Sequence, residues 1–390
     1  MVLGLGITVL ASPAHAQTLT VLYAFTGSPD GNSPFGGVVR DAAGNFYGTT
    51  ELGGAYGRGT VFKVNSSGTE TVLHSFGRGT DGAYPFAGVV RDAAGNLYGT
   101  TEFGGAYGLG TVFKVSSEGK EKVIATFSDG GYTGVNGCYP TGGLLLDKAG
   151  YLYGTTSGCG SGYDILGEVF EMDRQGNHFQ LLHSFHGPPH DGASPNYTSL
   201  QIDKNGNLYG VTDQGGAVGA GVVYELSASG SYTVLHSFAG GKTDGCYPYG
   251  TPALDGKGTV YGTTEQCGSH GQGIVWKLSS NGTETVLHDF DYFGHGRSGD
   301  GAYPLAGVIR DEKGNLYGTT CAGGSARSSG SLYMLTPTGV ETVLHDFIVE
   351  EGGWCPKAGV IRDSNGNLYG TTPEIDHVDS AYGTVWEYTP

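Results

Sequence analysis

The sequence predicts an all-β fold: a seven-bladed β-propeller of four-stranded antiparallel blades, with the ring closed by the N-terminal strand joining the C-terminal blade. Three observations lead there. A stretch of the form Gly-Asn-Leu-Tyr-Gly-Thr-Thr, cleanest at residues 95–101, occurs seven times, starting at Gly44, Gly95, Gly150, Gly206, Gly258, Gly314 and Gly366, with spacings of 51 to 56 residues. A tandem repeat of that length marks an array of equal supersecondary units. Glycine supplies 74 of 390 residues without a Gly-X-Y period, and the glycines hold fixed phases of the repeat, where the turns of a β-protein need them. The chain also starts in one type of strand and stops in another, so neither end completes a unit alone.

Within one repeat, residues 87–92, 97–101, 110–115 and 120–127 are apolar runs of strand length, rich in β-branched and aromatic side chains. We call them strands A to D. Asp-x-x-Gly-Asn joins A to B and Ser-x-x-Gly joins C to D, short turns that favour antiparallel hairpins. The B–C and D–A links are longer and carry Gly, Tyr, Asp and Pro. Outside the first few residues no segment has the long 3.6-residue apolar period of a helix. Residues 18–25 match strand D with no A to C before them, and residues 383–388 match strand C with no D after them. The first strand is therefore expected to complete the last blade and hide its loose edge. A linear solenoid would have capping repeats instead.

The A–B pair, Gly-Val-x-x-Asp-x-x-Gly-Asn-Leu-Tyr, is similar to the strand pair of NHL-type propellers. The whole pattern, with Leu-Tyr-Gly-Thr-Thr, Gly-Gly, Gly-Thr-Val-Phe and Val-Leu-His-Ser-Phe, more closely resembles the bacterial GloVer (Gloeo_Verruco) tandem-repeat proteins, over nearly all of residues 18–390. That resemblance implies export, often with one of several C-terminal anchors; this chain stops at Pro390, just past strand C, with no anchor in view. It implies no established activity and supplies no catalytic residues.

Residues 1–16 read as a signal peptide shortened at its start. An apolar stretch spans residues 2–10, and Ala14-His15-Ala16 precedes Gln17, but the basic n-region is missing. The run is too short to span a bilayer. Residues 17–390 are then a single exported propeller domain, extracellular or periplasmic, read as a monomer. A formal charge of −17, with 20 Lys and Arg and no basic run, argues against nucleic acid and anionic membranes as partners.

Asp41, Asp92, Asp147, Asp203, Asp255, Asp311 and Asp363 share the A–B turn position, where Asp bonds its own backbone two residues on. His74, His183, His236, His288 and His345 recur in strand D and are expected between blades. The glycine-rich residues 104–110 precede a strand, which removes a phosphate-loop reading. The D–A links carry Asp-Gly-x-Tyr-Pro at 81–85, 244–248 and 300–304. Proline there is expected to keep the residue before it extended. With strand A innermost, Asp81, Asp191, Asp244 and Asp300, joined by Asp30 and Glu351, would ring the channel mouth as a candidate divalent-cation or polar-ligand site; turn capping is the competing reading. No other cofactor is expected.

The six cysteines sort by repeat phase. Cys138 and Cys246 replace the x of the link, and Cys159 and Cys267 sit third after Thr-Thr in the following B–C loop. In an exported protein this predicts Cys138–Cys159 and Cys246–Cys267 bridges. Cys355, read at the same link position, and Cys321 then pair by elimination across neighbouring blades. Zinc would need clustered cysteines such as C-x-x-C, which the sequence lacks.

The D–A and B–C links emerge on one face. His186, His190 and His295 fall in D–A links and His270 and His377 in B–C loops, whereas His178 lies opposite. The same face carries Arg297 and the aromatics Tyr56, Tyr84, Tyr107, Tyr139, Tyr163, Tyr197, Tyr247, Tyr303 and Trp354. The first functional reading is a binding or scaffold module for a glycan or protein, using Tyr84, Tyr107, Tyr139, Tyr247, Tyr303, Trp354, His270 and His377, since rigid aromatics suit sugar rings. The second is a polysaccharide lyase using His186, His190, His295 and Arg297, or a glycoside hydrolase using paired rim carboxylates. The acidic balance opposes a polyanionic lyase substrate. A purely structural envelope role is the third. The sequence holds no Gly-x-Ser-x-Gly elbow and no His-Glu-x-x-His, so binding ranks above catalysis.

Overall fold

The computed structural model describes residues 17–77, 79–129, 135–159, 166–292, 299–324, 329–348, 353–373 and 382–390. Seven antiparallel blades form a ring. Blade 2 is representative: strand A Val90–Arg91, B Leu97–Thr101, C Thr111–Val115 and D Glu121–Ser128, paired in that order. In blade 7, strand D is the N-terminal Thr18–Ala24, which pairs antiparallel with strand C, Thr384–Thr389. The ring closes as the chain ends predicted.

One glycine of the repeat exists for a close approach. In every blade the Gly of Leu-Tyr-Gly-Thr-Thr stands opposite a strand C aromatic: Gly99 faces Phe113, Gly262 faces Trp276 and Gly370 faces Trp386. A Cβ on Gly99 would lie 2.5 Å from the Phe113 ring, so the bare backbone is what admits the ring. That ring then meets the strand D phenylalanine of the preceding blade edge-on. Phe76 and Phe113 have centroids 5.1 Å apart, and across the closing seam Phe25 and Phe62 are 5.0 Å apart. Each seam is a dry aromatic and aliphatic layer, such as Val61, Phe76, Val89, Leu97, Phe113 and Val115 between blades 1 and 2.

The first threonine of Thr-Thr fastens a blade to the next in every blade but the fourth, which carries Val211 there. Thr49 Oγ1 donates to the Ala87 carbonyl (2.7 Å), Thr100 to Gly142 (2.9 Å), Thr263 to Ala306 (2.7 Å) and Thr371 to Gly36 (3.1 Å). Those acceptors lie just before strand A. There, glycines of neighbouring blades touch backbone to backbone, as at Gly36 against Gly88 and Gly250 against Gly307. Strand A is thus innermost and strand D outermost.

Candidate functional site: the aromatic mouth of the ring

On the loop face, the D–A link into each of blades 1 to 6 pairs with that blade's own B–C loop. Gly82–Ala83 pairs with Phe103–Gly104, Gly192–Ala193 with Gln214–Gly215, and Cys138 bridges to Gly158. All three disulfides form as predicted, at Cys138–Cys159, Cys246–Cys267 and Cys321–Cys355. The first two tie the arms of such a ribbon, and the third joins blade 6 to the link entering blade 7. Cys355 takes the Tyr position of the link, one residue beyond that of Cys138 and Cys246, and Trp354 takes the x position. Three disulfides point to an oxidising compartment, extracellular or periplasmic. No helix among the described residues is long and apolar enough to cross a membrane.

The expectation of an extended residue before proline is overturned. Ser33, Tyr84, Tyr139, Ser194, Tyr247, Tyr303 and Cys355 all take left-handed φ values of 47° to 58°. Two backbone bonds outweigh the usual restriction. The Tyr84 N–H donates to the Arg58 carbonyl of the preceding blade (2.9 Å), while its own carbonyl accepts from Glu102 N–H (3.1 Å). The turn throws the side chains on either side of it in different directions. Tyr84 and Tyr139 flank Phe103 of the blade 2 loop, with centroids 6.0 and 5.3 Å away. The residue just past the proline turns to the ring's centre in blades 1, 2 and 5; in blade 4, where Asn196 follows Pro195, the second residue past it, Tyr197, takes that place.

Those central residues form a continuous arc. Phe35 and Phe86 have centroids 5.3 Å apart, Phe86 and Tyr197 5.4 Å, and Tyr197 stacks on Tyr249 at 6.1 Å. Lys357, at the same position of blade 7, sets its ammonium 4.3 Å over the Phe35 ring. The arc crosses from blade 2 to blade 4 because blade 3 offers only the small Thr141, whose hydroxyl accepts from Tyr197 N–H (3.3 Å). The Tyr197 side chain is 47% exposed and forms the open floor of the site.

Carboxylates flank this floor. Glu51, Glu102, Asp213 and Glu265 directly follow Thr-Thr, or Val-Thr in blade 4. The first three are hung by their own N–H groups from the carbonyls of Ser33, Tyr84 and Ser194. Burial, reinforced by Glu102, pushes the Glu51 carboxyl up to about 7 against the pull of Lys357. Burial also lifts Asp213 to about 7, opposed by the Asn196 amide and aided by Glu265. Glu102 and Glu265 are raised by burial. Tyr197 is raised by burial and then by Glu102, Glu51 and Asp213, which sets three carboxylates about one ring. Asp213 Oδ1 is buried, while Oδ2 accepts from Asn196 Nδ2 at 3.2 Å. The chemistry on offer is a flat apolar floor edged by groups that accept hydrogen bonds when ionised and donate when protonated.

The residues singled out from sequence are distributed otherwise. Asp81, Asp191, Asp244 and Asp300 each lie beside a strand D histidine, 2.9 to 3.4 Å from His74, His183, His236 and His288, at the outer end of their links. Burial works against Asp81, but bonds from His74, Gly77 and Gly82 hold it below the usual carboxylate range. His74, Asp81 and Glu121 present one ligand atom each within 4.8 Å of one another, an acidic cluster at a blade seam and not around the mouth. Asp30 instead receives the Tyr23 hydroxyl at 2.6 Å. His186 and His190 are exposed on the turn that Asp191 closes through His186 N–H. His270 lies beside Ser269 and Asp289, Tyr247 is 37% exposed, and Tyr107, Tyr303 and Trp354 are half-buried on their loops. His295, Arg297, His377, Tyr163, Glu351 and residues 1–16 lie outside the described residues.

A cavity of about 620 Å³ opens on the opposite face among the A–B turns of blades 4 and 5. Its Asp203 already accepts from Asn205 and Asn207, and the cavity holds one aromatic, Tyr209. The mouth is the richer site.

Two overlapping stretches of the chain, residues 5–201 and 196–390, match the model of the Gloeobacter/Verrucomicrobia repeat. No curated protein compared with the chain matches it. Among solved structures, streptogramin B lyase is similar at 10% identity and a TM-score of 0.59, covering 96% of this chain and 97% of that one. A luciferin-regenerating enzyme (16% identity, TM-score 0.45, 77% and 90% covered) and a nidogen/laminin complex (14%, 0.44, 81% and 95%) are also similar. At such identities the first likeness shows the propeller fold alone.

Proposed function

Since the chain belongs to the Gloeobacter/Verrucomicrobia repeat family, we propose that it is a secreted propeller that binds a glycan at the aromatic mouth of its loop face. One observation carries this reading: the unbroken arc Phe35–Phe86–Tyr197–Tyr249 with an exposed tyrosine at its middle. Rings fixed by backbone turns offer flat apolar area at small entropic cost, and the carboxylates beside them take sugar hydroxyls. The disulfides hold the surrounding ribbons.

The test is titration of the purified chain with a panel of oligosaccharides. Tyr197→Leu is expected to weaken binding by roughly tenfold or more while leaving the melting temperature in place. Unchanged affinity in that variant removes the mouth as the site. A glycoside hydrolase is the second reading, favoured by Glu51 and Asp213 standing near 7, where a carboxyl can act as general acid. Release of reducing ends, lost in Glu51→Gln, would move hydrolysis ahead of binding.

A further inference from the structure

We propose that the mouth selects a ligand bearing an ammonium group, so that the glycan it takes is an amino sugar with a free amine. The inference rests on the binding reading above and narrows its ligand class.

The chain itself supplies the first argument. At the blade 7 end of the arc, its own Lys357 ammonium stands over Phe35 and interacts with Glu51. That is a cation seated on a ring face within the field of a carboxylate. The same two ingredients recur further along the arc: Tyr197 and Tyr249 stack there, and Asp213 and Glu265 both act on the Tyr249 hydroxyl. Among the described residues no lysine or arginine stands over either tyrosine ring, whereas Lys357 stands over Phe35.

Asp213 supplies the second, independent argument. The residue is 6% exposed, and its carboxylate is held by the Asn196 amide and the Asp213 and Gln214 N–H groups, all of them neutral donors. A buried carboxylate with only neutral donors, and no ion pair among the described residues, is one that a cationic ligand can complete. An ammonium seated on the Tyr197 floor would stand in the field of Asp213, Glu265 and Glu102 together. The protein's net charge of −17 draws such ligands in and repels uronates.

The experiment is calorimetric titration at neutral pH with four probes: a glucosamine tetramer, its fully N-acetylated counterpart, a galacturonate tetramer and 1,4-diaminobutane. The glucosamine tetramer is expected to bind about tenfold or more tighter than the acetylated one, with the galacturonate weakest. Glu102→Gln with Glu265→Gln, both at half-buried positions, is expected to bring the first two within about twofold of each other.

Equal or tighter binding of the acetylated tetramer, lost in Tyr197→Leu, overturns the ammonium preference and leaves the glycan reading standing. Diaminobutane binding as tightly as the tetramer does the reverse, keeping the ammonium and removing the sugar. If no probe binds in a Tyr197-dependent way, the ammonium preference falls; the glycan reading falls with it when the oligosaccharide panel also shows no Tyr197-dependent binding.

Discussion

At the scale of single residues, the molecule separates groups used to hold the ring from groups left over. Asp92 is fully used: it accepts from Asn96 N–H at 2.9 Å, Asn96 Nδ2 at 2.8 Å and the Tyr98 hydroxyl at 3.0 Å. Burial opposes its ionised form, and those bonds still hold it below the usual range. Asp92→Ala should therefore cost about 2–3 kcal/mol in urea unfolding, since it strips the cap and strands a buried hydroxyl. Thr100→Val should cost only about 1 kcal/mol, the worth of one bond to the Gly142 carbonyl. Blade 4 already carries Val211 at the equivalent position. A Thr100→Val loss as large as that of Asp92→Ala would contradict the role given to the hydroxyl.

At the scale of the element, the link and its ribbon explain both what the sequence revealed and what it hid. The turn, the ribbon and the disulfides were legible because Asp, Gly, Tyr, Pro and Cys hold constant phases. The mouth was not, because the residues of constant phase, Tyr84, Tyr139, Tyr247 and Tyr303, precede the proline and lie off the central arc. The left-handed turn brings a residue past the proline inward instead, the first in most blades and the second (Tyr197) in blade 4, and its identity varies from Phe35 to Thr141 to Lys357. One signal was present: Glu51, Glu102, Asp213 and Glu265 all follow the threonine pair, an acidic position in four blades of seven. The same geometry gives a stability test. Gly110 has φ +101°, and a Cβ there would lie 2.6 Å from Pro140 Cδ. Gly57 has φ +70° and open space around it. Gly110→Ala is expected to lose at least about 2 kcal/mol more than Gly57→Ala. Equal losses in chemical denaturation would mean that the link proline is not seated against strand C.

At the scale of the whole molecule, the titrating groups divide by position. Glu70, Glu121 and Glu341, at blade seams, are raised by burial from an ordinary value of 4.5 to about 7, as are Glu51 and Asp213 at the mouth. Between the unfolded and folded values the native state holds more protons, so stability falls as pH rises through that window, and the loss is complete above about pH 7. The lowered turn and link aspartates act oppositely, losing their contribution as pH drops below about 4. The melting temperature should accordingly peak near pH 4–5 and be lower at pH 8; calorimetry showing the reverse order would refute the assignment. The closing blade has a mechanical corollary. Thr18 lies beside Thr389, and Ala24 beside Thr384, so both termini leave the clasp at the same end. Tension applied through the two ends would peel its hydrogen bonds one after another, not shear them together. The ring is thus weakest under load at the one place where it is joined.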